Sequence, residues 1–454
     1  MNRLSRYLVA IGLVSAQAMT MASTAHAAPD IKDRITALPG VRIISEGTLG
    51  AARTFVLGVQ QPVDHRHPRG AKFEQRFSLL HKDESKPMVL HTTGYALPGT
   101  IGAGEVARLT DGNQISVEQR FFTPSIPQPA DWRDLNIWQA ANDHHDIVTK
   151  LKTIYKAKWI STGASKGGMT SVYHRRFFPR DVDATVAYVA PNDVVNNRDN
   201  YGEFIENVGN DPTCNRRLEG VQRQILQHRD EVAAKLLAKG YTYEQFGDVQ
   251  KSLEINVLDT PFTFWQYGLQ ADCAIVPGDN ASVDELFTFI EKTVGWDFYT
   301  DAGIKPYVPY YYQAGTQLGW PIADESHVKG LLRYPGSDAP RSMVPAEIKM
   351  RFEPGVMRDI DTWVRFSSSQ MLFVYGQNDP WGAEQFHPSK RDSYTYTVPG
   401  GNHGSNITKL PEAQRAEATK TVLRWAGVSA AAFKVASEDG PDPDSLEALR
   451  ARRD

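Results

Sequence analysis

Three residues in this chain have the types and the order that acyl transfer to a hydroxyl requires: Ser165, Asp379 and His403. A serine hydroxyl is a weak nucleophile until a base takes its proton, and an imidazole serves as that base when an acid holds its tautomer and orientation. Ser165 lies in Gly163-Ala164-Ser165-Lys166-Gly167-Gly168, which directly follows the strand-like run Lys158-Trp159-Ile160-Ser161-Thr162 and opens a helix. That context gives a G-x-S-x-G match its weight. A tight strand-to-helix turn lifts the serine into the mouth of a site, and glycines two before and two after let neighbouring backbones approach without a Cβ clash. The helix beginning at Lys166 aims its free N–H groups at the oxygen that becomes negative, so the Lys166 N–H is the first expected oxyanion donor. Gly94 or Tyr95, at the glycine turn that closes the strand-like Met88-Val89-Leu90-His91-Thr92, is expected to supply the second.

Asp379 sits in Gln377-Asn378-Asp379-Pro380-Trp381-Gly382 and His403 in Gly400-Gly401-Asn402-His403-Gly404, each just past a strand-like run. Both therefore fall at the carboxyl ends of strands, where a parallel sheet gathers its active-site loops, and in the order serine, acid, histidine. Asp193, in Ala190-Pro191-Asn192-Asp193, competes for the acid's place because it too follows a core strand. Asp379 is preferred, since its strand immediately precedes the histidine strand. Of the 12 histidines, His65 and His67 lie in a turn and His144 and His145 on a predicted surface helix. No His-x3-His or cysteine-containing ligand set accompanies them, so neither a metal nor a cofactor is expected.

The elements that must position these groups fall into two blocks. From Val41 to Phe122 the chain reads as strands and turns, an antiparallel lead-in to a sheet. From Leu135 helical spacing takes over, followed by the strand before Ser165, the helix after it and the strand Ala184-Thr185-Val186-Ala187-Tyr188-Val189, a parallel βαβ unit. After Pro191 helical charge patterns and aromatic clusters such as Tyr310-Tyr311-Tyr312 dominate, and 196–343 is expected to be an inserted helical cap. Strand-like chain resumes at Gln370 to Tyr375 and Tyr394 to Val398, with a last helix from Pro411 to Trp425. The expected class is thus α/β: an α/β-hydrolase core, mostly parallel sheet flanked by helices, split into 28–195 and 344–435 around the cap. The stretch between Ser165 and Asp379 far exceeds two βα units of about 30 residues. A lid of that size would exclude water and restrict access to the serine. The tail, 436–454, is rich in Pro, Gly and charge and is expected to be mobile.

Composition narrows the function further. The 454 residues are 41% apolar, and 50 basic residues face 53 acidic ones without forming a stripe, which argues against nucleic acid or an anionic membrane as partner. Arg3 and Arg6 precede an apolar run from Tyr7 to Met21 and then Ala25-His26-Ala27, the pattern of a signal peptide over 1–27 cleaved after Ala27. The mature protein is therefore expected outside the cytoplasm, periplasmic or extracellular, with no stable membrane association. Cys214 and Cys273 are the two cysteines; in that compartment they either close a disulfide or stay as buried thiols. Neither lies near a nucleophile motif, which argues against a cysteine protease.

Gln61-Pro62-Val63-Asp64-His65, Phe73-Glu74-Gln75-Arg76-Phe77, Thr93-Gly94-Tyr95, Ser116-Val117-Glu118-Gln119-Arg120-Phe121-Phe122, the Ser165 motif, Gly376-Gln377-Asn378-Asp379-Pro380-Trp381 and Gly401-Asn402-His403 occur in that order. Together they resemble the secreted bacterial serine tripeptidyl-aminopeptidase family, related to lysosomal prolyl carboxypeptidase and dipeptidyl peptidase II. The resemblance implies a capped α/β-hydrolase that cleaves short pieces from a free peptide N-terminus, often at proline, with Ser165, Asp379 and His403 as the triad. Ala164 and Lys166 stand where the prolyl carboxypeptidase branch has glycine and tyrosine, which matches the bacterial branch instead. Such an enzyme must hold an α-ammonium group with a carboxylate. Glu118 is the first candidate, unless it pairs with Arg120 or another arginine; Asp272 and Asp301 in the cap are further ones. A carboxylesterase or lipase would use the same machinery, and a non-catalytic secreted binding protein could share the scaffold.

Overall fold

The computed structural model describes residues 30–429 and 440–451; the expected leader over 1–27 lies outside the described residues. The apolar runs become strands β1 (Val41–Leu49), β2 (Ala52–Pro62), β3 (Lys72–His81), β4 (Met88–Thr92), β5 (Asn113–Val117), β6 (Trp159–Ala164), β7 (Ala184–Tyr188), β8 (Met371–Gly376) and β9 (Tyr394–Val398). They form one sheet in the order β1-β2-β3-β5-β4-β6-β7-β8-β9. Only β1 to β3, and the β3–β5 pair, are antiparallel. The antiparallel lead-in ends earlier than the sequence suggests: β4 and β5 pair in parallel, because a short helix, Glu105–Thr110, carries the chain across between them. From β5 to β9 the sheet is parallel.

Strands β4 to β8 are buried along their whole length, as strands covered on both faces must be. Helices α1 (Ile137–Leu151) and α2 (Lys166–Phe177) lie on one face. Between β7 and β8 comes the helical insertion, which includes α3 (Pro212–Gln227) and α4 (Val249–Tyr267). The chain then returns through α5 (Gly355–Phe366), packed with α1 and α2 through Ile360, Val364, Ala140 and Val172. The last long helix, α6 (Glu412–Ala426), covers the other face with Val422 and Trp425 against Val186 and Val374. Helix α1 is not the plain surface helix its charges suggest. His144 is buried with Nδ1 2.6 Å from the Ala140 carbonyl, and burial together with His174 holds its imidazole down at about 4, so it is neutral.

The insertion has its own core, built from residues such as Leu218, Val221, Val257, Trp265 and Trp296. Cys214, in the first turn of α3, is joined to Cys273 with their Cα atoms 5.3 Å apart. Pro261 inside α4 cannot donate to the Val257 carbonyl one turn earlier. The Gln222 amide of α3 supplies the missing hydrogen bond at 2.8 Å.

Residues 440–451 are packed rather than loose, in contrast to the composition of the tail. Gly102 leaves room for Pro441, where a Cβ would lie 1.9 Å from the carbonyl oxygen. Arg108 donates to the Gly440 carbonyl at 2.7 Å, Asp444 lies 3.2 Å from His91 Nε2, and Leu449 is buried. A few well-placed contacts anchor a segment whose average hydrophobicity is low.

Candidate active site

Ser165 occupies the turn between β6 and α2 at φ 56°, ψ −129°, a conformation costly for any residue with a Cβ. What holds it there is close backbone packing. A Cβ on Gly163 would lie 2.6 Å from the Thr92 carbonyl oxygen and one on Gly167 2.4 Å from the same atom. The Ser165 N–H donates to the Tyr188 carbonyl at 2.9 Å, which fixes the turn to β7. The 94–95 loop reaches the same place: Gly94 has φ +71°, and a Cβ there would lie 2.6 Å from the Gly167 nitrogen.

Asp379 follows β8 and is fully buried. Its Oδ2 lies 2.7 Å from His403 Nδ1, while Oδ1 accepts from the Trp381 N–H at 3.2 Å. The acid facing the imidazole is therefore Asp379 rather than Asp193. Burial raises the Asp379 carboxyl, and the His403 partner acts against that rise. His403 Nε2 is buried and has no hydrogen-bond partner among the described residues. It lines the cavity that also contains Ser165 and Tyr95. Two cap contacts fix the histidine loop: the His403 N–H donates to the Gln266 carbonyl at 2.9 Å, and Asn402 Nδ2 to the Tyr267 carbonyl at 2.9 Å. Both acceptors sit at the end of α4.

Lys166 has a second attachment besides its backbone. Its ammonium donates to the Gly94 carbonyl and lies 5.3 Å from the ring centroids of both Tyr95 and Phe122. Burial pushes this lysine well below its ordinary range. The side chain thereby staples the 94–95 loop to the serine turn, a link that the G-x-S-x-G pattern does not announce. Of the two loop donors, the Tyr95 N–H is engaged by Thr93 Oγ1 at 3.1 Å.

A cavity opens above Ser165. Cap side chains form most of its wall, among them Tyr201, Phe262, Tyr267, Tyr310 and Trp320. Its charged residues are acidic, including Glu206, Glu219 and Asp324, with no lysine or arginine in the lining among the described residues. The three carboxylates expected to meet a substrate amine are not in that wall. Glu118 is fully buried and saturated by Arg76 (3.1 and 2.7 Å), Ser125 Oγ (2.6 Å) and the Leu97 N–H (3.0 Å). Its partner is thus Arg76, while Arg120 pairs with Asp143. Asp272 accepts from the Leu269 N–H, and Asp301 from the N–H groups of Glu244 and Gln245. These three carboxylates hold backbone in place.

The PS-10 peptidase S37 family matches residues 24–454. The chain belongs to that family. It is 51% identical over 434 residues to the prolyl tri/tetrapeptidyl aminopeptidase of Streptomyces mobaraensis, covering 94% of this chain and 91% of that protein. The S37 chain is also similar to solved structures at low identity. One is a peroxisomal α/β-hydrolase of Saccharomyces cerevisiae, at 10% identity and TM-score 0.37, covering 88% of this chain and 95% of that one. Another is a proline iminopeptidase of Mycobacterium smegmatis, at 12% identity and TM-score 0.37, covering 84% and 99%. As a member of S37 with an α/β-hydrolase core, the protein is a serine peptidase.

Proposed function

We propose that this S37 peptidase releases short peptides from the free N-terminus of its substrates through an acyl-enzyme formed on Ser165. The observation that carries the reading is the imidazole of His403, with Nδ1 on buried Asp379 and a free Nε2 in the cavity of Ser165. Nδ1–H donates to Asp379, which leaves the Nε2 lone pair to take the Ser165 proton as Oγ attacks the scissile carbonyl. The resulting imidazolium is stabilised by the carboxylate and returns the proton to the leaving amine. The Lys166 N–H at the start of α2, with the Gly94–Tyr95 loop, is the oxyanion site, and pre-set donors there favour the tetrahedral intermediate over the planar ground state. Water then repeats the sequence to free the acid.

The prolyl tri/tetrapeptidyl activity named for the Streptomyces relative supports release of three or four residues with proline at the cleaved bond. The aromatic wall and acidic charge of the cavity suit a cationic N-terminal segment. Export after cleavage near Ala27 fits the Cys214–Cys273 disulfide, a bond that persists in oxidising compartments. Comparing kcat/KM on unblocked and N-acetylated tripeptide amides ending in proline, with Ser165→Ala as the control, tests the reading. Strong preference for the free amine is expected. Equal rates on both forms, or faster turnover of simple acyl esters, would favour an esterase.

A further inference from the structure

A second, smaller cavity opens against Ser165 and is lined by Lys166, Met169, Asp193, Tyr310, Leu318 and Trp381; the Lys166 amine is engaged by the Gly94 carbonyl, and burial holds it well below its ordinary range. Asp193 is its one carboxyl. The residue is 3% exposed, and its Oδ2 has no hydrogen-bond partner. Space for it is made by Gly319, at φ +87°, where a Cβ would fall 2.5 Å from the carboxyl carbon. The ionisable groups that act on Asp193 are Asp199 and Glu384, both acids. Asp199 accepts from the N–H groups of Ile322 (2.8 Å) and Tyr201 (3.2 Å), and Glu384 from the Asn200 N–H and side-chain amide (3.0 and 2.8 Å). No lysine or arginine pairs with any of the three among the described residues. Three carboxyls thus act together with no ion pair to any of them among the described residues.

The aromatic residues beside them point to what is missing. Trp381 lines both cavities. Its ring meets Tyr201 at 6.0 Å, Phe262 at 4.9 Å and Trp320 at 6.0 Å, edge to face in each case. The Trp381 indole N–H and the Tyr201 hydroxyl are buried without hydrogen-bond partners among the described residues. Faces of indole and phenol rings attract cations, and rings grouped beside a carboxylate are the usual seat for an ammonium group. We propose that Asp193, with the rings of Trp381, Tyr201 and Trp320, binds the free α-ammonium group of the peptide substrate. The assignment rests on the aminopeptidase reading above and gives it the anchoring carboxylate that Glu118, Asp272 and Asp301 do not provide.

Burial and the two neighbouring acids push Asp193 up to about 8, so near pH 7 it is mainly the neutral carboxylic acid. When the ammonium docks, the carboxyl O–H proton leaves to water, and the ammonium keeps its three hydrogens and becomes the counter-charge. The experiment compares the ratio of kcat/KM for an unblocked tripeptide amide to that for its N-acetylated form, in wild type and in Asp193→Asn. Because both substrates meet the same enzyme sample, the fraction folded cancels from the ratio. The wild-type ratio is expected to be large and to fall roughly ten- to a hundredfold in the variant, as for loss of a hydrogen bond to a charged group. A large ratio that is unchanged in Asp193→Asn overturns the ammonium site and leaves the aminopeptidase reading standing. A wild-type ratio near one overturns that reading itself. If Asp193→Asn gives no protein that a fluorophosphonate labels, Trp320→Leu replaces it, with an expected fall of roughly two- to tenfold and an unchanged ratio again counting against the site.

Discussion

Asp193 shows at the scale of a single residue what a site of this kind costs the fold. A carboxyl raised from 3.8 to about 8 in the folded protein binds more protons folded than unfolded between those values. Its contribution to stability is therefore fully present below about pH 4 and is lost as pH rises through 8. Each unit of separation corresponds to about 1.4 kcal/mol. Asp193→Asn, fixed in the neutral state, is expected to melt higher than wild type at pH 8 and to differ little at pH 4, as thermal unfolding across that range would show. A constant difference at all pH values would mean that Asp193 does not titrate in this window. The same residue marks how far sequence alone reaches. Ser165, Asp379 and His403 could be read because each stands in a short local pattern beside a strand, and local patterns dictate local backbone. Glu118 could not, since its duty depends on Arg76, Ser125 and Leu97, which come from other segments. The sequence points to Lys166 only as a backbone donor; its side chain's hold on Gly94 depends on the packed interior.

Among the elements, α4 carries the clearest case of one segment completing another. Its Pro261 deprives the Val257 carbonyl of a donor, and Gln222 of α3 replaces it. The other end of the Gln222 amide meets His327 Nε2 at 2.6 Å, so both polar ends of a buried side chain are satisfied. Gln222→Leu keeps the bulk but orphans the carbonyl, and should destabilise the protein by about 1–3 kcal/mol. Chemical denaturation would measure this; a change within about 0.5 kcal/mol, the range of an ordinary surface substitution, would mean that the helix accommodates Pro261 without help. The proline and the helix are readable in the sequence, but the partner that makes them compatible is not. The β4–β5 pairing is similar: a six-residue helix between them decides for parallel, and runs of apolar residues look the same either way.

For the molecule as a whole, the insertion is both the largest departure from a plain hydrolase core and the part with its own staple. The Cys214–Cys273 bond closes a loop of 59 residues that contains α4. In the chain-entropy account a loop of that length contributes about 4 kcal/mol. Mild reduction, or a Cys214→Ser, Cys273→Ser pair, should lower the melting temperature and loosen α4, which hydrogen exchange of its amides would detect. Activity should fall with it, because the end of α4 grips the histidine loop.

That grip, Gln266 to His403 and Tyr267 to Asn402, also bears on how the protein could be altered by recombination. A lid that merely covers a serine can be swapped or deleted, leaving a promiscuous but competent core. Here His403, the proposed general base, takes part of its backbone support from the lid, so on that reading selectivity and turnover are inherited together. Grafting a foreign cap onto this core, or this cap onto another, would have to carry the docking surface of the histidine loop along with it.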